Sequence, residues 1–252
     1  MYKVYKLNFM LLYLRTWAFC LGVISWLIIS LAVIPIVFWR LDWSMRYGRF
    51  CFVVFKFYLE IFCNIKLKIE GEENMPRNEN FIVACKHTST WETFFFAWYL
   101  HLPVYIVKKS LFHIPVFGWY MKRTGMVGIN RKGGSSTVEQ ITKAAYDVIK
   151  VQKRNVIIFP QGTRVPIDET YNLQRYPYKR GITAICASLP DVKVLPITHN
   201  GAKYFGRGFF SIKRPGIIRI IFLPVIVTAG KSQTELLLEI QETIETETNK
   251  IL

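Results

Sequence analysis

Apolar positions cluster first at the amino end of the chain. Between Arg15 and Arg40 lie 24 residues, Thr16 to Trp39, without a charge. As a helix this run would measure about 36 Å at roughly 1.5 Å per residue, against a hydrocarbon core of about 30 Å. It is longer than the apolar stretch of a signal peptide and ends in Phe38, Trp39 and Arg40 without a small-residue cleavage site, so it is expected to stay on the mature protein. A second apolar stretch, Phe50 to Cys63, has 14 residues and carries Lys56 and Glu60 four apart, which fits an interfacial or re-entrant helix better than a second span. Arg40, Arg46, Arg49 and Lys56, interleaved with Trp39, Trp43 and Tyr47, suit a headgroup layer. A spanning first helix would carry Lys3, Lys6 and Arg15 to the far side, against the positive-inside tendency, whereas a re-entrant helix would keep them with the rest of the chain. The competing expectation is a helical hairpin packed on the globular part.

Beyond Ile65 the period changes. Ile65 to Ile69 alternates apolar and basic residues as an edge strand would, and Phe81 to Cys85 is a short apolar run suited to a buried strand. Val104 to Val107, Met126 to Ile129, Val156 to Phe159, Val192 to Ile197 and Ile217 to Val227 read as further strands. Helical stretches lie between them. Ser136 to Glu139 has the spacing of a capping box ahead of the stripe Val138, Ile141, Ala145 and Val148, and Ser232 to Glu235 repeats it ahead of Leu236, Ile240 and Ile244. The pattern predicts an α/β fold with a mostly parallel or mixed central sheet flanked by helices, and a hydrophobic helical membrane anchor at the amino end. The expected division is residues 1–64 for the membrane-associating segment and 65–252 for the α/β domain, with ligands outside the carboxyl ends of the strands.

Charge narrows the partner. Lys and Arg number 33 against 17 Asp and Glu, a formal net charge of +16, while 52% of residues are hydrophobic. With mean hydropathy at +0.23, this composition disfavours both a disordered chain and a uniformly wetted soluble enzyme. The basic excess points to a polyanion: nucleic acid, an anionic membrane surface or a phosphorylated substrate. Nucleic acid ranks last, because no reading motif accompanies the charge and a long apolar segment does not suit it. Cys20, Cys51, Cys63, Cys85 and Cys186 lack paired spacing and nearby histidines, so no metal site is expected and they read as small hydrophobes in a reducing compartment.

Four blocks carry candidate chemistry. The first, Lys86 to Glu92, follows the Phe81 to Cys85 strand. An imidazole in a strand-to-helix turn, with a carboxylate five residues later in the first helical turn, can form a base and its orienter: His87 and Glu92. Ser89 and Glu92 also have capping-box spacing, which is the structural alternative. The second, Gly125 to Arg131, is a strand-like run through Ile129 ending in a guanidinium, whose planar fork can grip a phosphate. The third, Val156 to Arg164, is a buried strand that breaks at Pro160 and Gly162 to expose Thr163, backbone amides and Arg164, an anion nest. The fourth, Leu195 to Gly201, ends another strand at the same expected edge, with Pro196 shaping a wall and His199 ranked below His87.

Together these blocks resemble the 1-acylglycerol-3-phosphate acyltransferases, a family of glycerolipid acyltransferases also called lysophosphatidate acyltransferases, over roughly Phe81 to Gly201. His87 and Glu92 resemble the family's His-x4-Asp motif, with Glu in place of Asp. Gly125, Ile129 and Arg131 match its G-x3-I-x-R block. Phe159, Pro160, Gln161, Gly162, Thr163 and Arg164 resemble F-P-E-G-T-R with Gln161 in place of Glu, and Leu195, Pro196 and Ile197 resemble V-P-I. The resemblance implies transfer of a fatty acyl group from acyl-carrier protein (acyl-ACP) or coenzyme A (acyl-CoA) to the sn-2 hydroxyl of lysophosphatidate, forming phosphatidate in phospholipid biosynthesis. It implies no tightly bound cofactor and no metal. His87 would take the hydroxyl proton with Glu92 holding it, and Ser89 would not be the nucleophile. Arg131, Gly162, Thr163 and Arg164 would bind the acceptor phosphate. Gly125, Ile129, Phe159, Pro160, Gln161 and Pro196 would support the site. Lys86, Lys108, Lys109 and Lys132 would widen the positive field or meet an acidic carrier protein. The partners implied are membrane lipids, lysophosphatidate and acyl-carrier protein, without nucleic acid. The location implied is a bacterial inner membrane with the site on the cytoplasmic side. Glycerol-3-phosphate or another lysophospholipid as acceptor, and a noncatalytic basic membrane adaptor, are the alternatives.

Overall fold

A computed structural model of the chain describes residues 2–33, 35, 39–130, 134–189 and 191–252. Its contacts divide the chain into two units: Met1–Lys68 with Thr88–Leu102 and Asn200–Arg219, and Ile69–His87 with Pro103–His199 and Ile220–Leu252.

In the first unit, helix α1 (Tyr2–Ser30) is followed by a 3-10 turn and then helix α2 (Leu41–Cys63). They pack antiparallel: Trp26 meets Phe50 at 5.4 Å between ring centroids, Phe19 meets Phe55 at 5.4 Å, and the Cys63 thiol points to the Arg15 carbonyl at 3.9 Å. Helix α1 begins well before the uncharged run, because isolated Lys and Arg residues break a hydropathy run without breaking a helix. For the same reason α2 begins at Leu41 rather than Phe50; its buried Phe52, Phe55, Leu59 and Cys63 repeat at three- and four-residue spacing. Lys56 and Glu60 form the expected pair at 2.9 Å. Phe9–Val33 is long and apolar enough to cross a membrane, with mean hydropathy 2.1, and only 28% of its most apolar window is buried within the protein. Leu21, Ile28 and Ile29 of α1, with Val53, Phe57 and Ile61 of α2, are left exposed. A face of this kind belongs in lipid, and the chain associates with membranes through it.

The second unit holds most of the sheet. Strands β1 (Ile65–Glu70), β2 (Ile82–Cys85), β3 (Val104–Lys108), β4 (Val127–Ile129), β5 (Val156–Ile158), β6 (Lys193–His199) and β7 (Gly216–Phe222) lie in the order β1-β7-β6-β2-β5-β3-β4, and β8 (Ile226–Val227) also pairs with β6. From β6 to β4 every pairing is parallel; β7 and β8 run antiparallel to β6. Every residue of β2 is buried, as a central strand covered on both faces requires. The run from Ile217 to Val227, expected as one strand, divides at Leu223 to Val225. Pro224 has no N–H for the ladder, and the Leu223 amide turns to the Pro196 carbonyl at 2.9 Å.

Helix α3 (Trp91–Tyr99) belongs to the first unit; α4 (Phe117–Arg123), α5 (Ser135–Tyr146) and α6 (Gly181–Ser188) belong to the second. Helix α7 (Gly201–Phe205) returns to the first unit and α8 (Gln233–Ile251) closes the second. Ile141, Ala145, Ile182, Ile185, Ile240 and Ile244 from α5, α6 and α8 join Ile82, Ala84, Val104 and Val156 of the sheet in one core. The Ser232 capping box is formed in both directions. That at Ser136 is not: α5 begins at Ser135 with Gly134 in the cap position, which places Ser136 already inside the helix.

Candidate active site

Parallel strands bring their carboxyl ends to one edge, and in the second unit that edge gathers the sequence blocks. His87 lies two residues past β2, Phe159 directly past β5, Asn130 directly past β4, and His199 is the last residue of β6. Strands β2 and β5 are neighbours in register, Ala84 opposite Ile158, so the residues beyond them meet. The half-buried His87 ring stacks on Phe159 with centroids 4.2 Å apart and planes 18° from parallel. The His87 carbonyl accepts from the amide of Val165, the residue after the third block, at 2.8 Å, so His87 is tied to the chain at both ends of the loop that follows β5.

The loop after β5 turns at once. The Gly162 amide donates to the Phe159 carbonyl at 2.8 Å, and the Lys179 amide to the Pro160 carbonyl at 3.0 Å. Gly162 has φ +69, and a Cβ there would stand 3.2 Å from the Lys179 ammonium. Gln161 is buried and donates its amide to the Tyr176 carbonyl at 3.0 Å, so where the family pattern has Glu this chain uses a neutral side chain to hold a loop. Thr163 is exposed, Arg164 half-buried and Pro160 buried.

Behind His87 lies a polar network that the sequence reading missed. Lys86 is 1% exposed. Its ammonium reaches both Glu245 oxygens, at 2.8 and 2.6 Å, and the Thr170 carbonyl at 2.7 Å; the Tyr178 hydroxyl donates to Glu245 at 2.9 Å. Burial lowers the Lys86 pKa while Glu245 pulls it back up, and burial followed by the Glu245 charge pushes the Tyr178 phenol well above its ordinary range. The expectation that Lys86 widens an exposed positive field is therefore corrected: it is consumed in a buried ion pair. His199 is buried with Nε2 3.2 Å from the Lys86 carbonyl, and the Thr198 and Thr248 hydroxyls meet at 2.6 Å. A carboxylate beside the apolar stripe of α8 was the one available signal for Glu245.

In the first unit, Glu92 is wholly buried in the first turn of α3. Its Oε1 accepts from the Thr88 and Ser89 amides at 2.9 and 2.8 Å. The structural alternative of a reciprocal box on Ser89 is not realised, because the Ser89 hydroxyl donates to the Gly206 carbonyl at 2.5 Å and the cap position is Thr90. The carboxylate thus ties down the backbone that directly follows His87. Trp91 presses on the start of α7, where a Cβ on Gly201 would fall 1.7 Å from the indole nitrogen.

The remaining expected site residues are dispersed. Arg131 and Lys132 lie outside the described residues. Ile129 is buried in the core, Gly125 stands before the amino end of β4, and Pro196 sits within β6 opposite Ala84.

Comparison with known proteins follows the same span. A family model described as Acyltransferase matches residues 66–200, which contain all four motifs except Gly201 of the last block. The chain is 30% identical over 209 residues to a 1-acyl-sn-glycerol-3-phosphate acyltransferase of Pseudomonas aeruginosa, covering 82% of this chain and 76% of that one. It is 28% identical over 179 residues to the Saccharomyces cerevisiae protein of the same name, covering 71% of this chain and 57% of that one. The crystal structure of the 1-acyl-sn-glycerophosphate (LPA) acyltransferase PlsC from Thermotoga maritima matches with TM-score 0.68 at 19% identity, over 94% of this chain and 97% of that one, and shows the shared fold.

Proposed function

The chain belongs to the 1-acylglycerol-3-phosphate acyltransferase family of glycerolipid acyltransferases, and from that premise we propose that it transfers a fatty acyl group from an acyl thioester to the sn-2 hydroxyl of lysophosphatidate, forming phosphatidate. The observation that carries this reading is His87 at the carboxyl end of β2, stacked by its face on Phe159. One ring nitrogen takes the proton of the acceptor hydroxyl as its oxygen attacks the thioester carbonyl carbon; the C–S bond then breaks and the departing thiolate receives that proton. Glu92, which fixes the turn after His87 through the Thr88 and Ser89 amides, is assigned to holding the imidazole in place.

Arg131, Arg164, Thr163 and the Gly162 backbone are assigned to the acceptor phosphate, whose binding places the hydroxyl at the imidazole. Phe159, Pro160 and Gln161 support that loop, and Gly125, Ile129 and Pro196 the strands beneath it. The thioester supplies the activated acyl group, so the reaction needs no tightly held cofactor and no metal; acyl-ACP and acyl-CoA both meet the requirement, and nucleic acid has no part. The antiparallel α1–α2 pair, with Arg15 beside Cys63, favours a hairpin that enters and leaves one face of the membrane. We assign that face to the cytoplasmic side of a bacterial inner membrane, where thioester donors are found.

The test is an acyl-transfer assay on purified protein, crossing both donors with lysophosphatidate, glycerol-3-phosphate and other lysophospholipids. His87→Ala is expected to lower turnover by about 10²- to 10⁴-fold without loss of membrane retention. Glu92→Asp is expected to keep more activity than Glu92→Gln. Near-normal turnover in His87→Ala would overturn the assignment.

A further inference from the structure

From Thr93 to Val138 the chain contains no Asp or Glu, while Lys108, Lys109, Lys122, Arg123, Arg131 and Lys132 supply six cations. In a protein with 17 acidic residues a gap of this length leaves the segment itself with a single sign of charge. Its middle, residues 109–123 of the second unit, forms a 3-10 turn (Lys109–His113) followed by α4. The segment has two sides. Gly118 and Met121 face inward and are buried. Ile114, Phe117 and Trp119 remain 44%, 41% and 56% exposed. Lys108, Lys109, His113, Lys122 and Arg123 are exposed around them, and the Lys122 ammonium lies 5.9 Å from the centre of the Phe112 ring. Between turn and helix, Val116 takes φ +61 and ψ −58 at the centre of a γ-turn, with the Phe117 amide on the Pro115 carbonyl at 2.6 Å, a conformation that a β-branched residue seldom adopts. A backbone held there against its local preference, with three large apolar side chains turned to solvent beside it, marks a surface retained for contact.

We propose that residues 108–123 form a membrane-docking face carried by the second unit itself, additional to the α1–α2 hairpin, and that its partner is the anionic surface of a lipid bilayer. The chemistry of recognition is on the page. An indole, a phenyl ring and an isoleucine enter the boundary between headgroups and acyl chains, and the surrounding ammonium and guanidinium groups rest on lipid phosphates. An acidic protein would satisfy the cations but would also need a folded surface complementary to the exposed rings. A bilayer interface accepts rings and cations at neighbouring depths without such a fit. The hairpin is retained by apolar burial, which salt does not screen even with Arg40, Arg46 and Arg49 at its headgroup end, whereas the charge contacts of this face are screened, so the two contacts separate experimentally.

The full chain is placed in vesicles of phosphatidylcholine, and in vesicles where phosphatidylglycerol replaces a third of it, and backbone hydrogen exchange is followed across residues 109–123. The expected result is exchange several-fold slower in the phosphatidylglycerol vesicles, with the difference removed by high salt while the protein stays bound. A triple substitution, Trp119→Ser with Lys122→Gln and Arg123→Gln, is expected to abolish the difference and leave vesicle retention unchanged. Equal exchange in both lipids overturns the proposal. So does protection that appears only on adding an acidic acyl-carrier protein, which would assign the face to a protein partner. The lipid comparison on the unaltered chain stands even if the triple variant does not fold. The readout requires no turnover, so it is independent of the proposed acyl transfer.

Discussion

Two lysines, one in each unit, are buried to the same 1% exposure by different means. In the second unit Lys86 meets a carboxylate, Glu245, at 2.6 Å, and the pair is completed by Tyr178 and the Thr170 carbonyl. In the first unit Lys213 is held by carbonyl dipoles and ring faces. Its ammonium donates to the Phe209 and Ser211 carbonyls, each at 2.6 Å, and stands 4.0 Å from the centre of Phe205 and 5.6 Å from that of Phe19 on α1. A counterion cancels the buried charge; dipoles and quadrupoles stabilise it without cancelling it. Burial accordingly pushes the Lys213 pKa down to about 8, against the opposing pull of the Cys20 and Cys63 thiols. The two arrangements also serve different ends. Lys86 anchors the residue next to His87 to α8, while Lys213, whose amide donates to the Thr16 hydroxyl at 2.8 Å, fastens the 200–219 segment to the membrane hairpin.

The largest effect should come from breaking the cancelled charge. Glu245→Ala leaves the Lys86 ammonium buried without its counterion, a change that typically costs about 3 to 5 kcal/mol. Thermal unfolding in detergent should show a marked loss of stability, and acyl transfer should fall with it because the strand end carrying His87 loses its tie to α8. Combining Lys86→Met with Glu245→Leu should recover most of the stability, since a well-packed apolar pair can replace a buried ion pair. If the single variant melts with the parent, the pair is not holding α8.

The contrast also shows what the sequence made legible. His87 and Glu92 could be picked out because their relation is local: five residues spanning a strand end and a first helical turn. A largely parallel sheet with the blocks at its carboxyl edge followed from strands alternating with helices, whereas the adjacency of β2 and β5 that brings Phe159 onto His87 did not, because strand order is set by long-range packing. Lys86 could not be separated from the surface lysines, because its partner is 159 residues away and burial is a property of the packed core. Lys213 was equally opaque, its cage being assembled from Phe19 and residues 205–211. Boundaries failed where charge and structure part company: Arg46 and Arg49 masked the first turns of α2, and Pro224 divided an apolar run into β7 and β8. Gln161, read as the loss of an acid, proved to be a loop fastener.

Removing the uncancelled charge should matter less. Lys213→Met takes away two charge-assisted hydrogen bonds and the ring contacts, but it also relieves the burial of a cation and fills the cage with an apolar chain of similar length. A net loss of about 2 kcal/mol is expected, smaller than for Glu245→Ala. Because the Lys213 ammonium is held by Phe209, Ser211 and the rings of Phe205 and Phe19 rather than by His87 or Glu92, turnover measured below the melting range should change little. Equal destabilisation by the two substitutions would show that dipoles and rings hold a buried ammonium as firmly as a carboxylate does.

The smallest and most diagnostic effect is on pH dependence. Lys213 has a folded pKa of about 8 against an ordinary value of 10.5. Below pH 8 both the folded and the unfolded chain carry the proton, and the full cost of burying the charge is present. Between pH 8 and 10.5 the unfolded chain binds the proton while the folded chain releases it, so stability rises with pH. Above 10.5 the contribution levels off, with the burial cost removed. Over the first pH unit above 8 the gain should be about 1 kcal/mol. Other lysines and the cysteines titrate in the same range, so the measurement is the difference between the parent chain and Lys213→Met, each unfolded by denaturant at successive pH values. That difference isolates the one group. A parent chain that gains nothing on Lys213→Met between pH 8 and 9 would mean that the carbonyls and rings compensate the buried charge in full, and the distinction between the two lysines would collapse.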